Sequence, residues 1–438
     1  MTVETRLYIH TLGCPKNDAD SEVLARRLRT AGIDVADGPD EASHVLINTC
    51  GFTGEAKEES IGAILGAARD YPAAELLVMG CLVQRFRDEL ESGLPEVGGW
   101  YGLGEMATLV GVLTSTASPA HGSPPEPPVH ARRSFAYVKI SDGCDHRCSF
   151  CAIPGIKGPY AALPPDEIME QARAALDEGA RELVLVGQDT AIWRNEGLDL
   201  AGLLDAVAAD ERVRWIRLMY LQPENVDDGL LAILASNDKV VKYLDVPFQH
   251  ASGRVLRRMA RAGDGVGYLA LLGRARRMMP DVSVRTTFIV GFPGESEADV
   301  ATLLDFCASA SFDHGGAFVY SPEEGTPAAR LRPRVAETVA RDRFGRLSSA
   351  LLSLAERANT ERVGRAVDVM IDALGAEEGP EGVVAVGRTV RQAPEVDGVT
   401  FLEGDLPVGA GPGDLVRAVV TEAYGYDLVA RCDATQSA

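Results

Sequence analysis

Cys144, Cys148 and Cys151 stand in the run Gly143-Cys-Asp-His-Arg-Cys-Ser-Phe-Cys, a CxxxCxxC spacing. Three thiolates this close can hold three corners of an iron–sulfur cube. No fourth cysteine lies nearby, so one iron would be left without a protein ligand. An open iron can bind a small molecule, and that turns an electron carrier into a catalyst. Zinc is the competing reading. It commonly takes four N or S ligands from paired CxxC units, and His146, inside the loop itself, is a poor fourth corner.

A second set is dispersed. Leu7–Thr11, His44–Thr49 and Glu75–Met79 read as strands, with helical patterns over Ser21–Ala31 and Glu55–Asp70 between them. This alternation predicts a parallel sheet with flanking helices. Cys14, Cys50 and Cys81 each fall just past the C-terminal end of one of these strands. In an open α/β sheet those ends form the edge where ligands bind. Each cysteine also neighbours a glycine (Gly13, Gly51, Gly80), which lets backbone approach a cofactor closely. The pattern predicts a second iron–sulfur site with three protein ligands; three inert core cysteines are the alternative. Cys307, in an apolar helical run, and Cys432, near the end, read as structural.

The elements that must position these residues fall into three segments. The first ends near residue 117, and a Pro-rich linker occupies 118–133. From 134 to 360, strand candidates recur at Ala136–Ile140, Glu182–Val186, Trp215–Met219, Lys242–Val246, Thr287–Val290 and Gly316–Tyr320. Six βα units predict a partial TIM-type barrel with the CxxxCxxC loop at its C-terminal mouth. Gln188 and Asp189 end the second strand, Gln249 and His250 the fourth, and glycines at 291 and 294 follow the fifth. Arg341–Thr360 reads as a linking helix. From 361 to 432, Val-rich runs at Val367–Ile371, Gly382–Val386, Asp414–Val420 and Tyr426–Ala430 predict a small β-barrel.

The chain has 438 residues and a formal net charge of −21. No apolar run is long enough for a membrane span, and the first residues lack the apolar core of a signal peptide. A cytoplasmic location follows as the expectation, and there eight cysteines suit thiol or metal chemistry better than disulfides. From Arg362 onward there are six Arg and no Lys against thirteen acidic residues. Such acidity disfavours direct nucleic-acid binding and favours a basic partner.

The order of these parts resembles the methylthiotransferase family of radical S-adenosylmethionine enzymes along the whole chain. The CxxxCxxC loop carries the radical S-adenosylmethionine signature, and the terminal segment looks like a TRAM domain. Thr11-Leu-Gly-Cys-Pro-Lys-Asn, Asp245-Val-Pro-Phe-Gln-His, Arg285-Thr-Thr-Phe-Ile-Val-Gly-Phe-Pro-Gly-Glu and Ser321-Pro-Glu-Glu-Gly-Thr resemble the RimO-type branch. That branch modifies an aspartate of small-subunit ribosomal protein twelve. The rival is the MiaB-type branch, which modifies a tRNA adenosine, and a non-catalytic iron–sulfur electron carrier is the bland alternative. After Cys151 the family's Ser-Arg element is missing; Lys157 and Gly158 fit, but Tyr160-Ala-Ala-Leu follows.

The resemblance implies an N-terminal flavodoxin-like sheet domain, a central radical S-adenosylmethionine (βα)6 barrel and a TRAM barrel. It implies two 4Fe–4S clusters, one on Cys144, Cys148 and Cys151 and an auxiliary one on Cys14, Cys50 and Cys81, together with S-adenosylmethionine and an external electron donor. Phe150 would lie beside the first cluster. Gln188, Asp189, Gln249, His250 and Arg285 would contact cofactor or substrate. No side chain is assigned as a catalytic acid or base, because the C–H bond to be broken is unactivated. Glu323 and Glu324 would add negative charge at the barrel mouth.

Overall fold

The computed structural model describes residues 5–116, 133–375 and 379–432. The expected linker at 118–133 therefore lies outside the described residues, apart from Arg133.

The first segment is a parallel sheet of β1 (Arg6–Thr11), β2 (Asp34–Val35), β3 (His44–Thr49), β4 (Glu75–Gly80) and β5 (Gly99–Tyr101), in the order β2-β1-β3-β4-β5. This is the flavodoxin-like order. Helices α1 (Pro15–Thr30), α2 (Gly54–Asp70), α3 (Cys81–Gly93) and α4 (Met106–Thr116) flank it. The central strands carry unbroken apolar runs, Val45-Leu46-Ile47 and Leu76-Leu77-Val78-Met79, as strands covered on both faces require. Helix α1 begins at Pro15 rather than Ser21, since proline suits the first helical position. Strands β2 and β5 are too short to show a period in the sequence.

Six parallel strands follow: β6 (Phe135–Lys139), β7 (Glu182–Val186), β8 (Trp215–Leu218), β9 (Tyr243–Asp245), β10 (Ser283–Val290) and β11 (His314–Val319). They form two arcs, β6-β7-β8 and β9-β10-β11, joined by a bridge between Ile216 and Val240. Between and after them run α5 (Ile153–Lys157), α6 (Pro165–Asp177), α7 (Leu200–Ala208), α8 (Asp228–Ser236), α9 (Gly253–Arg258), α10 (Gly265–Met278), α11 (Glu297–Ala310) and α12 (Glu337–Thr360). Alternate strand residues such as Ala136, Leu183, Ile216 and Leu244 pack under the helices. The intervening Tyr137, Val184, Val186, Trp215 and Tyr243 meet Ala19 of α1 and Met370 and Ala393 of the last segment. The open barrel is thus plugged by its neighbours rather than by its own side chains alone.

The last segment closes into a barrel of β12 (Ala366–Leu374), β13 (Val383–Arg388), β14 (Thr400–Gly404), β15 (Leu415–Tyr424) and β16 (Asp427–Cys432), ordered β12-β13-β14-β16-β15. Strand β14 went unpredicted, because Thr-Phe-Leu-Glu-Gly is short and ends in charge and glycine. It completes the closure by pairing with both β13 and β16.

Buried charge fastens the two barrels together. Glu182 is fully buried and accepts from Arg217 Nε at 2.7 Å and Arg388 Nη1 at 2.5 Å. Arg388 also donates to both oxygens of Asp372, at 2.8 and 2.9 Å. Burial pushes the Glu182 carboxyl up, but the two guanidiniums more than reverse this and hold it below its usual range. Arg285 adds a second bridge, to Asp245 at 3.0 Å and Asp397 at 3.4 Å. Two conspicuous acids of the terminal barrel are therefore spent on this interface rather than displayed on its surface.

A clasp fastens the first segment. Glu323, expected as free negative charge, is instead buried between segments. It accepts from the Gly54 backbone N–H at 2.9 Å and lies 3.4 Å from Lys57 Nζ and 3.5 Å from Arg85 Nη1. Arg85 also donates to the Gly51 carbonyl at 2.6 Å. Glu324 stays exposed.

Arg388→Met leaves Glu182 with one of its two charged partners and Asp372 with none. We expect a loss of about 3–5 kcal/mol in the docking of the terminal barrel, read as an earlier first transition in urea unfolding. Glu323→Ala should remove about 1.5–3 kcal/mol from the other dock. Amide exchange over residues 51–60 and 81–90 should then speed by about tenfold or more, while exchange in the terminal barrel stays unchanged.

Candidate functional site

The sheet edge gathers the dispersed cysteines. Cys14 caps α1, Cys50 directly follows β3, and Cys81 is the first residue of α3. The glycines show how close the strand ends come. A Cβ on Gly13 would sit 2.6 Å from Cys50 Cβ and 3.0 Å from its Sγ. A Cβ on Gly51 would sit 2.7 Å from Leu82 Cα and 3.0 Å from the Cys81 carbonyl carbon. Gly13 (φ +99°) and Gly80 (φ +110°) also adopt backbone that other residues resist. Asn17 Nδ2 donates to the carbonyls of Leu12 (2.7 Å) and Thr49 (3.2 Å), and Asn48 Nδ2 donates to the carbonyl of Asn17 at 3.0 Å. The turns that carry Cys14 and Cys50 are thereby tied to one another.

The second set is local. Gly143 (φ +67°) has no room for a side chain, since a Cβ there would lie 2.0 Å from the Pro159 carbonyl oxygen. This turn brings Cys144 N–H to the Gly158 carbonyl at 3.2 Å. Ser149 anchors the loop centre, with its N–H donating to Met259 O at 2.9 Å and its hydroxyl to Arg258 O at 2.7 Å.

One helix contact links the two sets. Helix α3, which opens with Cys81, packs on α5, which begins at Ile153 just past Cys151. Next to α5 lies a quartet of two lysines and two aspartates, with Asp20 buried and the other three half-buried. Lys157 Nζ is 3.0 Å from Asp142 and 3.9 Å from Asp20; Lys139 Nζ is 3.2 Å from Asp142 and also binds Asp20. A groove of about 650 Å³ reaches this region from solvent, walled by Gln84, Arg85, Arg147, Cys148, Cys151 and Glu324.

Four of the six thiols are held in the neutral form by burial. Burial pushes Cys81 and Cys151 up to about 12 and raises Cys50 and Cys144, with neighbouring cysteines of the same set adding to each rise. Only a bound metal would ionise such thiols outright. Among the described residues no three His, Cys, Asp or Glu are placed to hold a single metal ion. In an iron–sulfur cube each thiolate takes its own iron, so the sulfurs need not converge on one point.

Of the expected contacts, Gln188 and Asp189 lie at the end of β7, beside the loop. Both side-chain polar atoms of Gln188 and Oδ1 of Asp189 are buried without a hydrogen-bond partner. Such atoms call for a bound group. The other oxygen of Asp189 meets His146 Nε2 at 2.9 Å and accepts from Asn225 Nδ2 at 2.6 Å. His146 is thereby engaged away from any ligand role, and its hydrogen bond to Asp189 raises its pKa. Phe150 stacks edge-on to Phe292 with centroids 6.4 Å apart. Gln249 takes a left-handed backbone (φ +67°) that ties the chain to β10 through Thr287 and Ile289.

Two further expected contacts are also held by the protein's own groups. His250 is fully buried, and its Nδ1 accepts from the N–H groups of Ala251 and Ser252, both at 2.9 Å. It supports the entry to α9, while its Nε2, 3.5 Å from Glu295 Oε2, is buried without a hydrogen-bond partner. Arg285 pairs with Asp245 and Asp397.

Sequence reading missed Arg261, whose Nη1 lies 3.7 Å from Cys148 Sγ, and Gln222, Glu224 and Asn225. The last three follow β8 and formed a polar strand end that could have been read as mouth residues. Arg261 sits between two helices and carried no signal. Cys307 and Cys432 are buried in apolar cores, as expected.

Three family models match in order: Uncharacterized protein family UPF0004 over residues 6–102, the Radical SAM superfamily over 138–307 and the TRAM domain over 363–432. The chain is 40% identical to the Ribosomal protein uS12 methylthiotransferase RimO of Anaeromyxobacter sp. (strain K), covering 98% of this chain and 93% of that one. It is 38% identical to the protein of the same name from Aquifex aeolicus, covering 97% of each. In fold it is similar to the radical S-adenosylmethionine methyltransferase TsrM from Kitasatospora setae, with a TM-score of 0.54 at 14% identity over 75% of this chain and 77% of that one. Identity at this level over nearly the whole length leaves one conclusion: the chain belongs to the RimO family of radical S-adenosylmethionine methylthiotransferases.

Proposed function

We propose that this chain attaches a methylthio group to the β-carbon of an aspartate in ribosomal protein uS12, in the cytoplasm and with electrons from an external donor. The observation that carries the proposal is the packing of α3, which opens with Cys81, on α5, which begins just past Cys151. Bound there, two 4Fe–4S clusters, each with one open iron, would supply S-adenosylmethionine cleavage at one and sulfur at the other.

The chain's own residues hold and shield. Cys144, Cys148 and Cys151 are assigned to the first cluster, with Phe150 packed beside them, and Cys14, Cys50 and Cys81 to the second. The unpartnered atoms of Gln188 and Asp189 are assigned to polar groups of S-adenosylmethionine. Gln249 is kept as a half-buried contact at the end of the fourth barrel strand. Glu323, through Arg85 and Lys57, keeps the first segment over the mouth. No side chain needs to take the aspartate β-hydrogen as a proton, because an unactivated C–H bond is too weak an acid for any of them. The net charge of −21 favours encounter with a basic ribosomal protein.

Mass spectrometry of uS12 from cells with and without the gene tests the substrate. We expect a gain of about 46 Da on one aspartate, the stoichiometry of replacing H by SCH₃ in a group transfer. An unchanged uS12 beside altered tRNA nucleosides would move the assignment to tRNA. Anaerobic reconstitution tests the sites: about eight irons per chain should fall to about four in either triple Cys→Ala variant. The Cys144/Cys148/Cys151 variant should lose 5′-deoxyadenosine formation. The Cys14/Cys50/Cys81 variant should retain it and make no methylthiolated protein.

A further inference from the structure

Below the cluster loop runs a chain of side chains that the proposed reaction leaves unused. Arg261 is 6% exposed and follows α9. Its Nη1 lies 3.7 Å from Cys148 Sγ, within reach of an N–H···S hydrogen bond, and also donates to Gln222 Oε1. Its Nη2 donates to the Pro247 carbonyl at 3.2 Å and lies 3.6 Å from Glu224. Glu224 also stands 3.4 Å from His146 Nδ1, and His146 is held by Asp189. Gln222 is itself fixed, its Nε2 donating to the Gln188 carbonyl at 3.2 Å. Among the described residues, Arg261 is the one side chain that donates a hydrogen bond to any of the six sulfurs of the two sets.

We propose that Arg261 is a positioning residue that, through its contact with Cys148, sets the potential at which the CxxxCxxC cluster accepts an electron. Reduction adds one negative charge to the cluster, and a carrier protein or other one-electron donor loses that electron. A guanidinium and an N–H···S bond stabilise the reduced form more than the oxidised form. The three partners on its far side fix the guanidinium, so it cannot swing to solvent when the charge changes. Glu224 works in opposition, because its carboxylate offsets part of the cation. The proposal rests on Cys144, Cys148 and Cys151 holding a cluster.

The test uses the full-length chain with Cys14, Cys50 and Cys81 replaced by alanine, so that one cluster remains. It is reconstituted and titrated by electron paramagnetic resonance at set potentials without S-adenosylmethionine. At the parent's midpoint, Arg261→Met should lower the reduced-to-oxidised ratio about tenfold, which is about 59 mV for a one-electron couple. Arg261→Lys should lower it less than about threefold. Glu224→Gln should raise the ratio, a direction that mere loss of packing would not produce. An unchanged midpoint in Arg261→Met with iron content intact overturns the proposal. If that variant fails to hold iron, a fall or no change in Glu224→Gln overturns it. A parent that binds no cluster overturns the assignment of the three cysteines instead.

Discussion

The quartet of Asp20, Lys139, Asp142 and Lys157 is the interaction on which the rest of the site depends. It joins α1 of the sheet domain to the first barrel strand and to the helix after the CxxxCxxC loop. Cys14 lies at the start of α1, Cys151 just before α5, and Cys81 within the field of Lys157. One buried and three half-buried charges pair with one another only when both segments take one relative position. That position brings two cysteine sets, separated by a domain boundary, to a common edge. The Glu323 clasp and the Glu182–Arg388 dock secure the same arrangement from two other sides.

The thiols and the glycines work against each other in a productive way. Burial opposes thiolate formation at Cys50, Cys81, Cys144 and Cys151, so these neutral thiols can be buried without great electrostatic cost. The glycines at 13, 51 and 143 bring backbone closer than any side chain would allow. Metal binding would then trade protons for iron at positions already fixed by the sheet and the loop.

The acidic terminal barrel needs a closer reading than its composition suggests. Its excess of carboxylates reads as a surface that repels phosphate, yet Asp372 and Asp397 face the central barrel and pair with Arg388 and Arg285. Part of the acidity is structural. What is left on the exterior still fits a basic partner, alongside the charge of the chain as a whole.

The chemistry-bearing pattern was legible in the sequence. CxxxCxxC is a local spacing, and period and glycine position placed the other three cysteines at strand ends, because a parallel sheet lines up those ends whatever the side chains do. The parallel sheet and the six βα units followed from alternation of the same kind, whereas the flavodoxin-like domain was implied by the family resemblance. Only the tertiary structure decided which charges meet. Glu323 looked like charge displayed at the barrel mouth and is a buried clasp; His250 and Arg285 also bind within the fold, to the turn before α9 and to Asp245; Arg261 carried no signal and lies against Cys148. Spacing along a chain reports neighbours within an element. An ion pair between segments depends on how whole elements dock, and no local period encodes that.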